Sequence, residues 1–263
     1  MFVVAIAELG RPVEEDLAAL ASDMGATAYD ARLLLAAGTP AIVKTTPDRA
    51  LALELLGRLR ARGHGAVACD SGAVVSSGDM VSMRKLRLAP DAVTLDDRPA
   101  ERLPYDDVLA LLPAVHQRRV DTATQTRETK LSMGRALMTG GMAFTKTVKT
   151  STRSSAEERD VVLYVFRRSG APPWLLREHG TSWAGLGLPL AHSESENFRI
   201  AVAALRERAP GATYDDRLMT RKAGERSMMS GSGGNTTVKT SSEAGVDLLA
   251  HLQALWIARG AYR

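Results

Sequence analysis

The chain has 263 residues, 45% of them hydrophobic, and a formal net charge of +4. That length allows one large or two modest domains with real cores, and no apolar run approaches the roughly 20 residues that a membrane-spanning helix needs. Aromatic residues make up only 5%, so the cores must be built from Leu, Val, Ala and Met; the single cysteine, Cys69, rules out an internal disulfide and fits a reducing compartment. The opening Met1–Ile6 has no basic flank and Glu8 ends its apolar run, so a secretory signal is not expected and a cytoplasmic location is. Charge is uneven: residues 1–80 hold 7 Lys/Arg against 10 Asp/Glu, and the remainder carries a net +7.

Phe2–Ala7 is a strand candidate. Pro12, with Glu14, Glu15 and Asp16 behind it, opens a helix in which Leu17, Leu20 and Met24 share a face before Gly25 stops it. Thr27 caps a second short helix carrying Ala31, Leu34 and Leu35, closed by Gly38 and Pro40. Ala41–Lys44 is the next strand. Thr46-Pro47-Asp48 opens a third helix with Leu51, Leu55, Leu56 and Leu59 on one face and Gly63 at its end; Ala66–Cys69 is a third strand. The order β-α-α-β-α-β predicts helices over one face of a small sheet. Ser76–Asp79 reads as a linker. Val81–Leu88 alternates with the strand period, Ala92–Leu95 returns as its hairpin partner, and Leu103–Leu112 leads into a strand over 114–126. Val161–Phe166 and Trp174–His179 are further strands, and an amphipathic helix capped by Ser195 carries Phe198, Val202 and Leu205 up to Ala209-Pro210-Gly211. The stretch Arg221–Asn235 is polar and Gly/Ser-rich and reads as a mobile linker. Val246, Leu249, Leu252, Trp256 and Ile257 form the stripe of a last helix, which either packs onto one of the domains or meets a partner.

Two resemblances follow from these patterns. The stretches Ala31–Val43 and Arg49–Val67 make residues 1–78 similar to the C-terminal domain of the large-subunit ribosomal stalk protein. In that family lysines on the short helix recruit translation factors; here Ala28–Ala37 offers only Arg32, so the resemblance implies the fold and not the role. Leu103-Pro-Tyr105-Asp-Asp-Val108 and Glu196-Asn-Phe198 make residues 80–220 resemble bacterial pleckstrin-homology-like domains, which implies binding and assembly rather than catalysis. The expected fold class is therefore α+β: a small β-α-α-β-α-β domain (1–78), a mainly antiparallel β domain with a closing helix (80–220), then a linker and tail helix (221–263).

No catalytic constellation stands out. His64, His116, His179, His192 and His251 show no local metal-ligand spacing to one another or to Cys69, and Asp96-Asp97, Asp106-Asp107 and Asp215-Asp216 read as turn and capping acids. Gly231–Asn235 lacks the lysine of a phosphate loop. No catalytic residue, metal or cofactor is expected, and the chain reads as a non-enzyme. The more informative segment is 127–153, where Arg127, Lys130, Arg135, Lys146, Lys149 and Arg153 face a lone Glu128, with Leu131, Leu137, Met138, Met142 and Phe144 interleaved. A protein-docking surface, a lip for anionic lipid head groups, and a hairpin covering its own core all remain open for it. Missing stacking aromatics disfavour nucleic acid. A Thr-Val-Lys-Thr-Ser string occurs twice, at 147–151 and 237–241, and its β-branched residues favour an exposed strand able to pair along an edge. The expectation is a cytoplasmic adaptor or assembly protein that binds a protein partner or itself through Lys130, Arg135, Met138, Met142, Lys146, Lys149 and Trp256, with a peripheral membrane-surface module as the second reading.

Overall fold

The computed structural model describes residues 1–131, 145–221, 226–232 and 235–259. The fold is mixed α+β. It forms two compact units: the first takes residues 1–116, 160–224 and 243–263, the second 117–159 and 225–242.

In the first unit, β1 (Phe2–Glu8) lies between β2 (Ala41–Thr46) and β3 (Gly65–Asp70), antiparallel to both. Helices α1 (Val13–Met24), α2 (Ala28–Ala36) and α3 (Arg49–Ala61) alternate with these strands in the expected order. Their limits follow from the chain: Gly25 ends α1 at φ 66°, the Thr27 hydroxyl accepts the Asp30 N–H at 3.1 Å, and Asp48 accepts those of Ala50 and Leu51. The buried face of α3 is Ala52, Leu55, Leu56 and Leu59, while Leu51 is 38% exposed, so the stripe sits one residue further round than expected.

Helices α1–α3 cover one face of this sheet, as the order of elements predicts, and the opposite face is covered as well. Val4 and Ile6 pack with Leu20, Leu35, Leu55 and Leu59 under α1–α3, whereas Val3, Ala5, Ala7 and Val67 pack on the opposite face against Leu252 of α5 (Glu243–Ala258). The uninterrupted apolar run Val3–Ala7 is what two-sided burial requires, because successive side chains point to opposite faces.

The second layer has the same character. Strand β8 (Val108–Leu131) neighbours β9 (Thr145–Arg167), which pairs antiparallel with β10 (Trp174–Arg177); β4 (Val81–Ser82) runs parallel to β10, and β11 (Thr213–Tyr214) parallel to β8. Leu111, Leu163, Val165, Trp174 and Leu176 face the core beneath α4 (Glu194–Arg208), with its Phe198, Val202 and Leu205. The alternate residues Leu112, Ala114, Val162, Tyr164 and Leu175 face Val246, Leu249, Ala250 and Ile257 of α5. A small sheet of β5 (Leu86–Leu88), β6 (Ala92–Leu95) and β7 (Arg98–Pro104) completes the α4-side core.

Four further boundaries differ from expectation. Val81–Leu88 is not one strand: Val81–Ser82 aligns with Trp174–Leu175, while Leu86–Leu88 pairs with Val93–Leu95. The strand expected from residue 114 begins at Val108, after a short helical turn at Tyr105–Asp107. The cap of α4 is Ser193, which accepts the Glu196 N–H at 3.2 Å; Ser195 lies inside the first turn. Within the stretch expected to be a mobile linker, Arg226–Ser232 forms β12, antiparallel to β13 (Asn235–Ser241). Only Gly-Gly separates these strands, which is the sequence form of a tight hairpin.

Helix α5 is thus wedged between two sheets. The Trp256 indole lies against Gly65 and donates to Glu8 at 3.1 Å. A Cβ on Gly65 would stand 2.5 Å from the indole ring. Gly65→Ala is expected to cost about 1–3 kcal/mol by overpacking in urea denaturation, and Trp256→Ala to relieve part of that cost, so the double variant is less destabilised than the two singles added together.

Candidate functional site

Two regions concentrate polar and charged chemistry. The first lies on α5. Asp247, 3% exposed, stands in a helix that is otherwise apolar on most sides, and a buried carboxylate persists only if its oxygens are satisfied. It accepts the Ser77 N–H at 2.8 Å, the Ser77 hydroxyl, and the Tyr164 hydroxyl at 2.6 Å. Because Tyr164 gives its proton to Asp247, its oxygen accepts from His116 Nε2 at 2.7 Å, which places the imidazole proton on Nε2. His116 Nδ1 makes no hydrogen bond and lies 3.8 Å from the Glu243 carboxylate. Arg177 continues the network, donating to Glu243 at 2.8 Å and to Asp160 at 3.1 Å. Burial holds the His116 pKa below its ordinary value, against the opposing pull of Glu243 and Asp247. Burial and the neighbouring Asp247 push the Tyr164 hydroxyl well above its usual range. Ser77, Asp247, Tyr164 and His116 are buried while Arg177 and Glu243 are partly exposed, and the arrangement locks α5 and the 76–79 turn to the sheet.

Two other polar sets also serve the fold. His64 is a satisfied core histidine: Nδ1 accepts the Gly10 N–H at 3.3 Å and Nε2 meets Asp16 at 3.1 Å. Asp215 pairs with Arg217, which also donates to the Ala7 carbonyl at 3.0 Å and Thr39 at 2.9 Å, while Gln253 donates to Asp215 at 2.7 Å. Burial pushes the Cys69 thiol up to about 11, so it is protonated and unreactive at neutral pH.

The second region is the second unit, where β13 lies between β12 and β8, and β8 neighbours β9. Residues 117–159 and 225–242 hold 11 Lys/Arg against 5 Asp/Glu, a net +6, so the rest of the chain is net −2. The whole positive balance of the protein is carried here. Among the described residues, no hydrophobic core cluster includes a side chain of this unit. Most of its pairs are polar or mixed, such as Thr237 opposite Thr122, Val238 opposite Asp121, and Ser227 opposite Thr240 with their hydroxyls 3.0 Å apart, while Met229 opposite Val238 is apolar. Arg119 pairs with Asp121 at 3.0 Å, and Met228 is 75% exposed. The two Thr-Val-Lys-Thr-Ser strings lie in β9 and β13, the strands on either side of β8.

Of the residues singled out in the sequence, Arg135, Met138 and Met142 lie outside the described residues. Lys130 falls on β8 and Lys146 and Lys149 on β9, with side chains outside the described residues. Trp256 is placed on α5 against Gly65. The sequence reading missed the Ser77–Asp247–Tyr164–His116 network, whose members are far apart in the chain; the one available signal was an acid in the middle of an apolar stripe. It also missed Asp160, Glu178 and His179, whose metal-ligating atoms all lie within 4.8 Å of one another. No protein family matches the chain, and no curated protein or solved structure matches it either.

Two measurements check the buried network. Asp247→Ala leaves the Ser77 and Tyr164 donors without their acceptor and is expected to lower unfolding free energy by ~3 kcal/mol in urea. An imidazole whose folded pKa lies below its unfolded value of about 6.5 gains its proton first in the unfolded chain. Its contribution is present above that unfolded pKa and is lost as pH falls through it toward the folded value. His116 is faced by Tyr164 and Asp160 from β9, Glu243 and Asp247 from α5, and Arg177 from β10. Wild type is therefore expected to lose more stability than His116→Gln on acidification from about pH 7.5 to about pH 5.5.

Proposed function

We propose that the protein is a non-catalytic adaptor or assembly protein whose second unit docks a partner protein with an acidic surface. The observation that carries this reading is the separation of roles between the units. Apolar burial is concentrated in the first, whereas the net +6 is concentrated in a polar sheet to which no core cluster belongs among the described residues. Ordering a sheet costs conformational entropy that apolar burial normally offsets, and a partner's surface supplies the missing burial while its acids meet the lysines and arginines. The same charge disfavours self-association through this sheet, because basic edge strands repel one another.

The finer architecture belongs to the same proposal. Hairpin strands β5–β7 and β8–β10, closed by α4 with Phe198 in the core, support a pleckstrin-homology-like arrangement. The order β1-α1-α2-β2-α3-β3 supports the stalk-protein-like one. No described helix is long and apolar enough to cross a membrane, and a cytoplasmic location is proposed from the lone cysteine.

The test uses full-length protein with Arg118, Arg119 and Lys239 reversed to Glu, all exposed in the described sheet. In quantitative pull-down from native extract, the wild type is expected to retain an acidic protein. Retention falls steeply from about 50 to about 300 mM salt, and is lost in the triple variant. Equal retention by the variant contradicts the reading. Salt-sensitive flotation with phosphatidylglycerol vesicles in place of protein capture replaces it with the membrane-surface one.

A further inference from the structure

We propose that Asp160, Glu178 and His179 form a binding site for a divalent transition-metal ion of the zinc class. The site belongs wholly to the first unit and does not depend on the docking reading. Asp160 stands on β9, and Glu178 and His179 directly follow β10, so the antiparallel pairing of these strands, with Arg177 opposite Val162, brings the three together.

Each residue presents one ligand atom, and all three lie within 4.8 Å of one another. Their orientation is built rather than incidental. Arg177 occupies Asp160 Oδ2 at 3.1 Å and leaves Oδ1 facing His179 Nδ1 at 3.2 Å. The other ring nitrogen, Nε2, lies 4.0 Å from the Glu194 carboxylate, near enough for charge attraction and too far for a hydrogen bond.

The observation that points to a cation is Glu178. It is 7% exposed, and its carboxylate accepts one hydrogen bond, from the Ser195 hydroxyl; no ion-pair partner neutralises it among the described residues. A buried carboxylate left with a single hydroxyl is costly. A cation held between it, Asp160 and the imidazole removes that cost. His179 is 59% exposed on its side chain, which gives an ion access and lets the ring turn to close donor distances to about 2.0–2.2 Å around the metal. Two carboxylates and one imidazole favour zinc, cobalt or manganese over magnesium or calcium, which prefer oxygen ligands alone. Three protein donors leave a fourth position open. Of the three, Glu178 also lines a groove of about 570 Å³ along α4, bounded by Phe198, Val202 and Tyr214.

Sequence spacing conceals this site, because Asp160 lies eighteen residues before Glu178 and the only local signal is a Glu-His pair behind a strand. The test is calorimetric titration of chelator-treated, full-length protein with zinc and, separately, magnesium. The proposal expects one zinc per chain and no magnesium binding. Affinity should be roughly tenfold or more weaker in both Glu178→Gln and His179→Ala, and unchanged in His192→Ala, which alters an exposed histidine outside the cluster. Circular dichroism confirms that each variant is folded, and Glu178→Gln keeps an acceptor for Ser195. Absence of zinc binding, wild-type affinity in both cluster variants, or loss of binding in His192→Ala overturns the proposal.

Discussion

The first unit depends on one helix having two apolar faces. Leu248, Leu252, Leu255 and Trp256 of α5 meet the N-terminal sheet, and Val246, Leu249, Ala250, Ala254 and Ile257 meet the sheet of β8, β9 and β10. Each sheet carries helices on its other face as well, α1–α3 on one and α4 on the other. Neither sheet can present a polar outer side toward α5, and β1 is accordingly a run of buried residues, while β9 sends alternate residues into two different cores. Helix α5 therefore completes a core begun by Val3, Ala5 and Ala7.

An apolar wedge slides easily unless something fixes its register, and the polar groups on α5 supply that. Asp247 is tied to Ser77 and Tyr164, Gln253 to Asp215, and Trp256 to Glu8. Each bond reaches a different part of the unit. Burying these groups costs desolvation, so their worth is specificity of placement rather than raw stability. Arg217 acts in the same way from the other side, joining Asp215 to the Ala7 carbonyl and Thr39. The second unit follows a different rule, with hydroxyls, lysines and arginines where the first has Leu and Val, and with ladder pairing in place of a described core.

Much of the fold was legible in the chain, and the limits of that legibility are physical. The caps at Thr27 and Asp48, the stop at Gly25 and the stripe Phe198–Val202–Leu205 are local signals, and the elements they mark are present. What periodicity could not convey was the identity of the packing partners: the residues of the α5 stripe divide between two sheets, Leu252 and Trp256 toward the N-terminal one and Val246, Leu249 and Ile257 toward that of β8, β9 and β10. The continuous run Val3–Ala7 did carry the sign of two-sided burial. Sites assembled from distant residues, such as Asp160 with Glu178 and His179, leave no spacing to read. For the 127–153 segment the sequence pattern of charge remains the informative quantity.

The first unit holds the described core clusters, and the proposal is that the second, a basic sheet, draws burial from a partner. Native-state amide hydrogen exchange tests it most directly. In the free chain, amides of Val3–Ala7 and Val162–Val165 should exchange only through global opening, while those of 118–124 and 235–241 exchange through a far less costly local opening. Protection of the second unit equal to that of the first would contradict the account.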